Sequence, residues 1–276
     1  GSGPQGRIIR ADVEASLASR PTPATPAQPS AAPAPQAAPT AQAAPVPQHD
    51  ERQPLSQMRR TIARRMAEST RTVPHFFLTI TVDASELVKL RTQVLEQLAE
   101  EGVKVSVNDL VVKAAALALR KVPDMNVSFA EDALVRHNRV HIGIAVATER
   151  GLIVPVVRDV DQKTLSQVAR EARDLGLRAQ AGKLQQAEYS GGTFTVSNLG
   201  MFGVEQFNAV INPPEAGILA VGAIVREPAE FQGQLMLRER MKLTLSVDHR
   251  AADGAIGARY LQALKALLEK PLLLIV

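Results

Sequence analysis

The 276-residue chain contains no cysteine and no tryptophan, and aromatic residues make up only 3% of it. Without cysteine there is no disulfide, no thiolate metal ligand and no cysteine nucleophile. Any thiol chemistry must therefore use thiols that substrates bring. Scarce aromatics leave few stacking platforms for single-stranded bases. The net charge of +4 suits an anionic ligand such as a nucleotide phosphate but is too small to argue for nucleic acid. No apolar run reaches the roughly 18 residues that span a bilayer, and the first residues do not have the form of a signal peptide. A soluble, intracellular protein with no membrane or nucleic-acid partner and no metal is expected.

The chain has room for one large domain or two small ones. Gly1, Gly3 and Gly6 form a Gly-x-Gly-x-x-Gly, but no strand precedes it and Pro4 interrupts it, so it is not a dinucleotide loop. A loop followed by a short helix over residues 10–18 describes this piece better, and residues 1–19 are too few to fold alone. Residues 20–53 are dominated by Ala, Pro, Gln and Thr, with almost no charge. They cannot bury a core, and proline forbids a continuous helix, so a disordered, extended linker is expected. Such a linker suits the tethering of a domain that must swing.

Residues 54–276 form the main domain. Ser56 is placed to cap a helix carrying Leu55, Met58, Ile62 and Met66 on one side and Arg59, Arg60, Arg64 and Arg65 around the rest. The arginines are either a solvated face or a phosphate site. Val73-Pro74 ends this helix, and residues 75–83 alternate as a strand. Helices are predicted over 84–101, over 109–121 with Ser106 or Asn108 as its cap, and over 164–181. Strands are predicted over 126–130, 133–137, 140–148 and 151–157, the last interrupted by Pro155. Residues 193–196 read as a strand ending in a Gly-rich turn that holds Ser197 and Asn198. Residues 217–225 and 235–247 read as strands joined through a turn at Gln232-Gly233. The order of elements gives a mixed α/β domain. The apolar tail 271–276 is expected to be buried against another subunit.

Two stretches bear on chemistry. In LTLSVDHRAADG, the alternation Leu243, Leu245, Val247 makes a strand that delivers His249 to its end, before a helix starting near Asp253-Gly254. A histidine there can take a proton near neutrality, its unperturbed pKa being about 6.5. The same residue also suits an ordinary surface turn, and Asp253 suits a helix N-cap. In GGTFTVSNLGMFG, Ser197 and Asn198 can present donors to a developing oxyanion, or belong to an ordinary turn rich in Ser, Asn and Gly.

Taken together, SVDHRAADGAIGARYL and GGTFTVSNLGMFGVEQFNAVINPPEAGILAVG resemble the catalytic domain of the dihydrolipoamide acyltransferases, the core component of 2-oxo acid dehydrogenase complexes. SQMRRTIARRMAESTRTVPHFFLTI resembles the start of that domain. Residues 1–19 are similar to the last part of the family's peripheral subunit-binding domain. The family's lipoyl domain would precede them, so the chain reads as a shortened form of a longer protein. The resemblance implies a two-layer mixed-sheet fold of the chloramphenicol-acetyltransferase-like class. It implies that His249 is the general base, activating a thiol for acyl transfer between dihydrolipoamide and coenzyme A, and that Ser197 stabilises the oxyanion. It implies that Asp253 is structural, paired with one of Arg59, Arg60 or Arg65, and that Asn198 and Gly254 line the substrate site. It further implies a homotrimer whose active site is shared between subunits, assembly into a 24-mer or 60-mer, and partnership with 2-oxo acid dehydrogenase and dihydrolipoamide dehydrogenase components. The compartment would be bacterial cytoplasm or mitochondrial matrix. Asn198-Leu-Gly-Met-Phe-Gly203 looks more like the acetyl (pyruvate) type than others, with a branched-chain type as the alternative. A non-catalytic scaffold and a free acetyltransferase of the chloramphenicol type are the other readings.

Overall fold

In a computed structural model of the chain, residues 50–98, 100 and 102–275 are described, together with Ser2, Pro4, Arg10, Ala11, Val13 and Glu14. Most of residues 1–19 and 20–53, including the expected linker, lie outside the described residues. The chain divides into two units, Gly1–Gln53 and Pro54–Val276. The second unit holds every strand of the main sheet and all the candidate site residues.

Helix α1 (Gln57–Thr72) begins at Ser56, whose hydroxyl accepts from Arg59 N, and it stops at Val73 before Pro74. Strand β1 (His75–Asp83) follows, then α2 (Ser85–Gln97), which is shorter than the sequence predicts. Helix α3 (Val107–Lys121) is capped by Ser106 in a reciprocal capping box with Asp109. Its Ala-, Leu- and Val-rich sequence is buried nearly all round.

The predicted strand over 140–148 divides into β4 (Ile142–Ile144) and β5 (Val146–Thr148), after the hairpin β2 (Val127–Ala130) and β3 (Ala133–Arg136). The predicted strand over 151–157 divides likewise into β6 (Gly151–Ile153) and β7 (Val156–Val157). The cause is Pro155, which has no N–H for a ladder but offers its carbonyl to Ile144 N. Beyond this break the two chains pair again as the separate hairpin β5–β6. Helix α4 (Leu165–Gln180) starts in a capping box of Thr164 and Gln167. Strand β8 (Phe194–Asn198) includes Ser197 and Asn198, which the sequence places in the following turn.

Strands β9 (Gly217–Phe231) and β10 (Gln234–Asp248) form a long hairpin through Gln232 and Gly233, both at positive φ. Helix α5 (Gly254–Glu269) completes the set. The main sheet runs β1-β10-β9-β8-β4-β7, mixed in direction, with β8 parallel to both β4 and β9.

Alternation along β10 decides the layers. Met241, Leu243, Leu245 and Val247 are buried in the main core, which also holds residues of α2, α3 and α5. Gly257 lets α5 sit close on the sheet, because a Cβ there would lie 2.7 Å from Leu78 Cδ1. Thr244 and Ser246 point to the opposite face, where residues 204–214 run across the sheet. Ser246 donates to Ala209 O at 2.7 Å, and Ile211 N donates to His75 Nε2 at 3.0 Å. His75 Nδ1 then donates to Val73 O at 2.8 Å, which fixes the neutral tautomer. The tail ends in a short 3₁₀ turn, Pro271–Leu274, with Pro271 and Leu274 buried but Leu272, Leu273 and Ile275 exposed.

Candidate active site

Strand β10 ends by handing its last residue, Asp248, into a tight turn. Asp248 N donates to Ala216 O at 2.9 Å, and Asp248 O accepts from Ala251 N and Ala252 N at 2.9 and 3.1 Å. His249 stands at the apex, exposed, with its backbone N–H on Pro74 O at 3.0 Å. Its ring lies 4.6 Å from the Phe76 ring, tilted by 56°. No side chain or backbone group among the described residues hydrogen-bonds the ring nitrogens.

The Asp248 carboxylate is buried. It is held by Arg250: Nε and the backbone N–H reach Oδ1 at 3.0 Å each, and Nη2 reaches Oδ2 at 2.8 Å. The guanidinium also lies 4.4 Å over the Phe129 ring. Its bonds to Asp248 hold the Arg250 charge more firmly than usual. Sequence reasoning passed over both residues. The available signal was opposite charges flanking a strand-end histidine in Asp248-His249-Arg250.

Asp253 caps α5, its Oδ1 accepting from Ile256 N at 2.8 Å. It forms no ion pair among the described residues, and neither do Arg59, Arg60 or Arg65, which are exposed on α1. Within this chain the expected Asp253–arginine pair is not formed among the described residues: Asp253 caps the first turn of the helix, and the ion pair beside the histidine is Asp248–Arg250. Gly254 is the first residue of α5, with open space where a Cβ would be.

Ser197 is half-buried near the end of β8, and its hydroxyl has no hydrogen-bond partner among the described residues. Asn198 is engaged at both ends: Nδ2 donates to Asn108 Oδ1 at 3.1 Å, and Oδ1 accepts from Gly200 N at 2.9 Å. Through these bonds it shapes the 199–203 turn. Asn108, considered in sequence only as a cap, serves as its anchor. Gly200 and Gly222 let this turn lie flat on β9, since a Cβ on Gly200 would sit 2.7 Å from Gly222 O.

The structure does not bring Ser197 and His249 together within one chain. Ser197 pairs with Ala220, and Ala220 with Thr244, so Ser197 lies two strands over and at the level of Thr244. With strands ~4.8 Å apart and ~3.4 Å of rise per residue, the two side chains are on the order of 20 Å apart. Among the described residues, no three His, Asp or Glu side chains gather as a metal site. No helix among them is long and apolar enough to cross a membrane.

The chain is 43% identical over 272 residues to the dihydrolipoyllysine-residue acetyltransferase component of the pyruvate dehydrogenase complex of Zymomonas mobilis, covering 99% of this chain and 60% of that protein. It spans between 49% and 63% of the length of the curated relatives it matches. Among solved structures, the Azotobacter vinelandii dihydrolipoamide acetyltransferase superposes with a TM-score of 0.79 at 37% identity, covering 82% of this chain and 94% of that one. The cubic core of a pyruvate dehydrogenase multienzyme complex superposes with a TM-score of 0.79 at 36% identity, covering 82% and 94%. The match to the family model extends over residues 47–276, and with it the chain belongs to the 2-oxoacid dehydrogenases acyltransferase (catalytic domain) family.

Proposed function

We propose that the chain transfers an acetyl group between coenzyme A and dihydrolipoamide, with His249 as general base. The observation that carries this reading is the exposed His249 imidazole, with neither nitrogen hydrogen-bonded among the described residues, on a backbone pinned from both sides. A thiol of pKa about 8.5 needs only a modest base, and its thiolate is the nucleophile. His249 takes the thiol proton of dihydrolipoamide, and the thiolate adds to the thioester carbonyl of acetyl-CoA. The Ser197 hydroxyl donates to the oxyanion of the tetrahedral intermediate. Collapse expels the coenzyme A thiolate, which recovers the proton from the imidazolium. No enzyme thiol is needed, in keeping with the absence of cysteine.

The separation of Ser197 from His249 in one chain supports a site built from two chains, as a trimer would supply. In the Azotobacter vinelandii enzyme, a serine, a histidine and an asparagine studied for roles in catalysis are spaced 52 and 4 residues apart, and Ser197, His249 and Asp253 have the same spacing. The exposed tail supports assembly of trimers into a larger shell with 2-oxo acid dehydrogenase and dihydrolipoamide dehydrogenase partners. Leu272 and Leu273 border a groove of about 510 Å³ that Leu90 and Gln93 also line, and a tail of another trimer suits it. With bacterial and mitochondrial relatives, the reading carries a bacterial cytoplasm or a mitochondrial matrix as its compartment.

The test is acetyl transfer from acetyl-CoA to free dihydrolipoamide. His249→Ala is expected to lose at least about a hundredfold in kcat, the scale of a general base. Near-full activity in that variant removes His249 from the mechanism, and a wild-type rate equal to buffer would leave a scaffold only.

A further inference from the structure

Among the described residues, the contacts of His249 are the Phe76 ring and the bond of its backbone N–H to Pro74 O. The turn that carries it must therefore supply the orientation. That turn is closed twice. Its main chain is closed by Ala251 N and Ala252 N on Asp248 O. Its side chains are closed by the Arg250 fork on the Asp248 carboxylate, which spans the histidine from one flank to the other. The fork is itself steadied by Phe129 of β2.

The carboxylate makes this closure chemically significant. Asp248 is 3% exposed and adjacent in sequence to the imidazole. Paired by two guanidinium bonds and one backbone N–H, it is satisfied. Stripped of the fork it would keep only the Arg250 N–H, and a buried carboxylate with vacant acceptor sites takes the nearest available donor. The next residue in sequence, His249, carries an imidazole N–H that such a vacant acceptor would draw in.

We propose that Arg250 is the positioning residue of the site: its guanidinium occupies the Asp248 carboxylate and thereby keeps the His249 imidazole directed at the incoming thiol. The inference rests on the acyltransferase reading above. Arg250 acts through His249, not on the substrates. A misdirected base lowers the chemical step and leaves binding intact, because a displacement of about 1 Å at the reacting group can cost about a hundredfold in rate.

Steady-state kinetics with acetyl-CoA and dihydrolipoamide test this on the whole chain. Arg250→Gln is expected to lower kcat about tenfold to a hundredfold, with both KM values within about twofold of wild type. Asp248→Asn placed in the Arg250→Gln background is expected to recover at least about fivefold of that loss, because the unpaired carboxylate is gone. Arg250→Lys keeps the charge with one donor site in place of the fork and should fall between wild type and Arg250→Gln; it carries the test if the glutamine variant does not fold. Unchanged kcat in Arg250→Gln overturns the inference. So does a raised KM for acetyl-CoA with kcat intact, which would make Arg250 a phosphate contact, or a double variant no better than the single. A wild-type chain without transfer activity defeats the acyltransferase reading itself, a result separate from any of these.

Discussion

At the scale of single residues, Glu215 is a costly placement in the core. Its carboxyl is buried beside β8, where Thr195 Oγ1 donates to Oε2 at 2.5 Å and Asn212 Nδ2 reaches Oε1 at 3.4 Å. Gly192 is needed opposite it, since a Cβ there would lie 2.8 Å from Oε1. Burial pushes the Glu215 carboxyl up from its ordinary 4.5 to about 7, outweighing the hydrogen bonds from Thr195 and Asn212. Between these two values the folded chain holds a proton that the unfolded chain has released. Stability is therefore full below about pH 4.5, falls as pH rises, and levels off above about 7, a loss on the order of 3 kcal/mol from this one group. Glu215→Gln removes the ionisation and keeps an acceptor for Thr195. Its melting temperature is expected to fall less between pH 5 and pH 8 than that of wild type. Parallel curves for the two proteins would show that Glu215 does not titrate in this range.

At the scale of elements, the site depends on how closely the segment after β8 lies on β9. Leu199 N donates to Val221 O at 3.2 Å, and Ala223 N donates to Val204 O at 2.8 Å. Between these bonds Gly222 has no room for a side chain, as a Cβ would sit 1.9 Å from Glu205 O and 3.1 Å from Lys242 O. Both obstacles are backbone, so neither can swing aside. Gly222→Ala is expected to destabilise the fold by about 1–3 kcal/mol in urea denaturation and to lower acetyl transfer, because the displaced segment adjoins Ser197. Gly176 in α4 makes the contrast, with nothing within 4 Å of its missing Cβ. Gly176→Ala there should stabilise by about 0.5–1 kcal/mol through helix propensity alone.

At the scale of the whole molecule, the proposed roles of Ser197 and His249 in one reaction, set against their distance within one chain, predict that donor and base come from different chains. Complementation measures this. A Ser197→Ala chain keeps its histidine, and a His249→Ala chain keeps its serine. Co-expressed, they are expected to form mixed assemblies in which some sites pair an intact His249 with an intact Ser197. Specific activity should then exceed that of either parent by about tenfold or more, given the 10²–10³ cost of losing an oxyanion donor. Activity no higher than the average of the parents would place both residues of each site in one chain, against the sheet geometry.

The sequence alone determined most of the elements and the placing of His249 at a strand end. Alternation in Leu243, Leu245 and Val247 carried His249 to the end of a strand, and Ser56 marked the first helix start, whereas the structure chose Ser106 over Asn108 and made Thr164 a cap. These are local effects, settled by side-chain periodicity and by the first-turn N–H groups that need acceptors. The break at Pro155 was also marked in the sequence, though not the matching break in 140–148 or the pairing of the halves in different sheets, which depends on distant partners. Tertiary structure alone decided which charges meet. Asp253 and the arginines of α1 were plausible partners in a linear reading, but Asp253 turned to its own helix, and the buried Asp248 carboxylate took Arg250. Tertiary structure also decided that Asn198 anchors a turn and that Ser197 stands far from His249 in the same chain. Those facts follow from strand order and register, which no stretch of residues contains by itself.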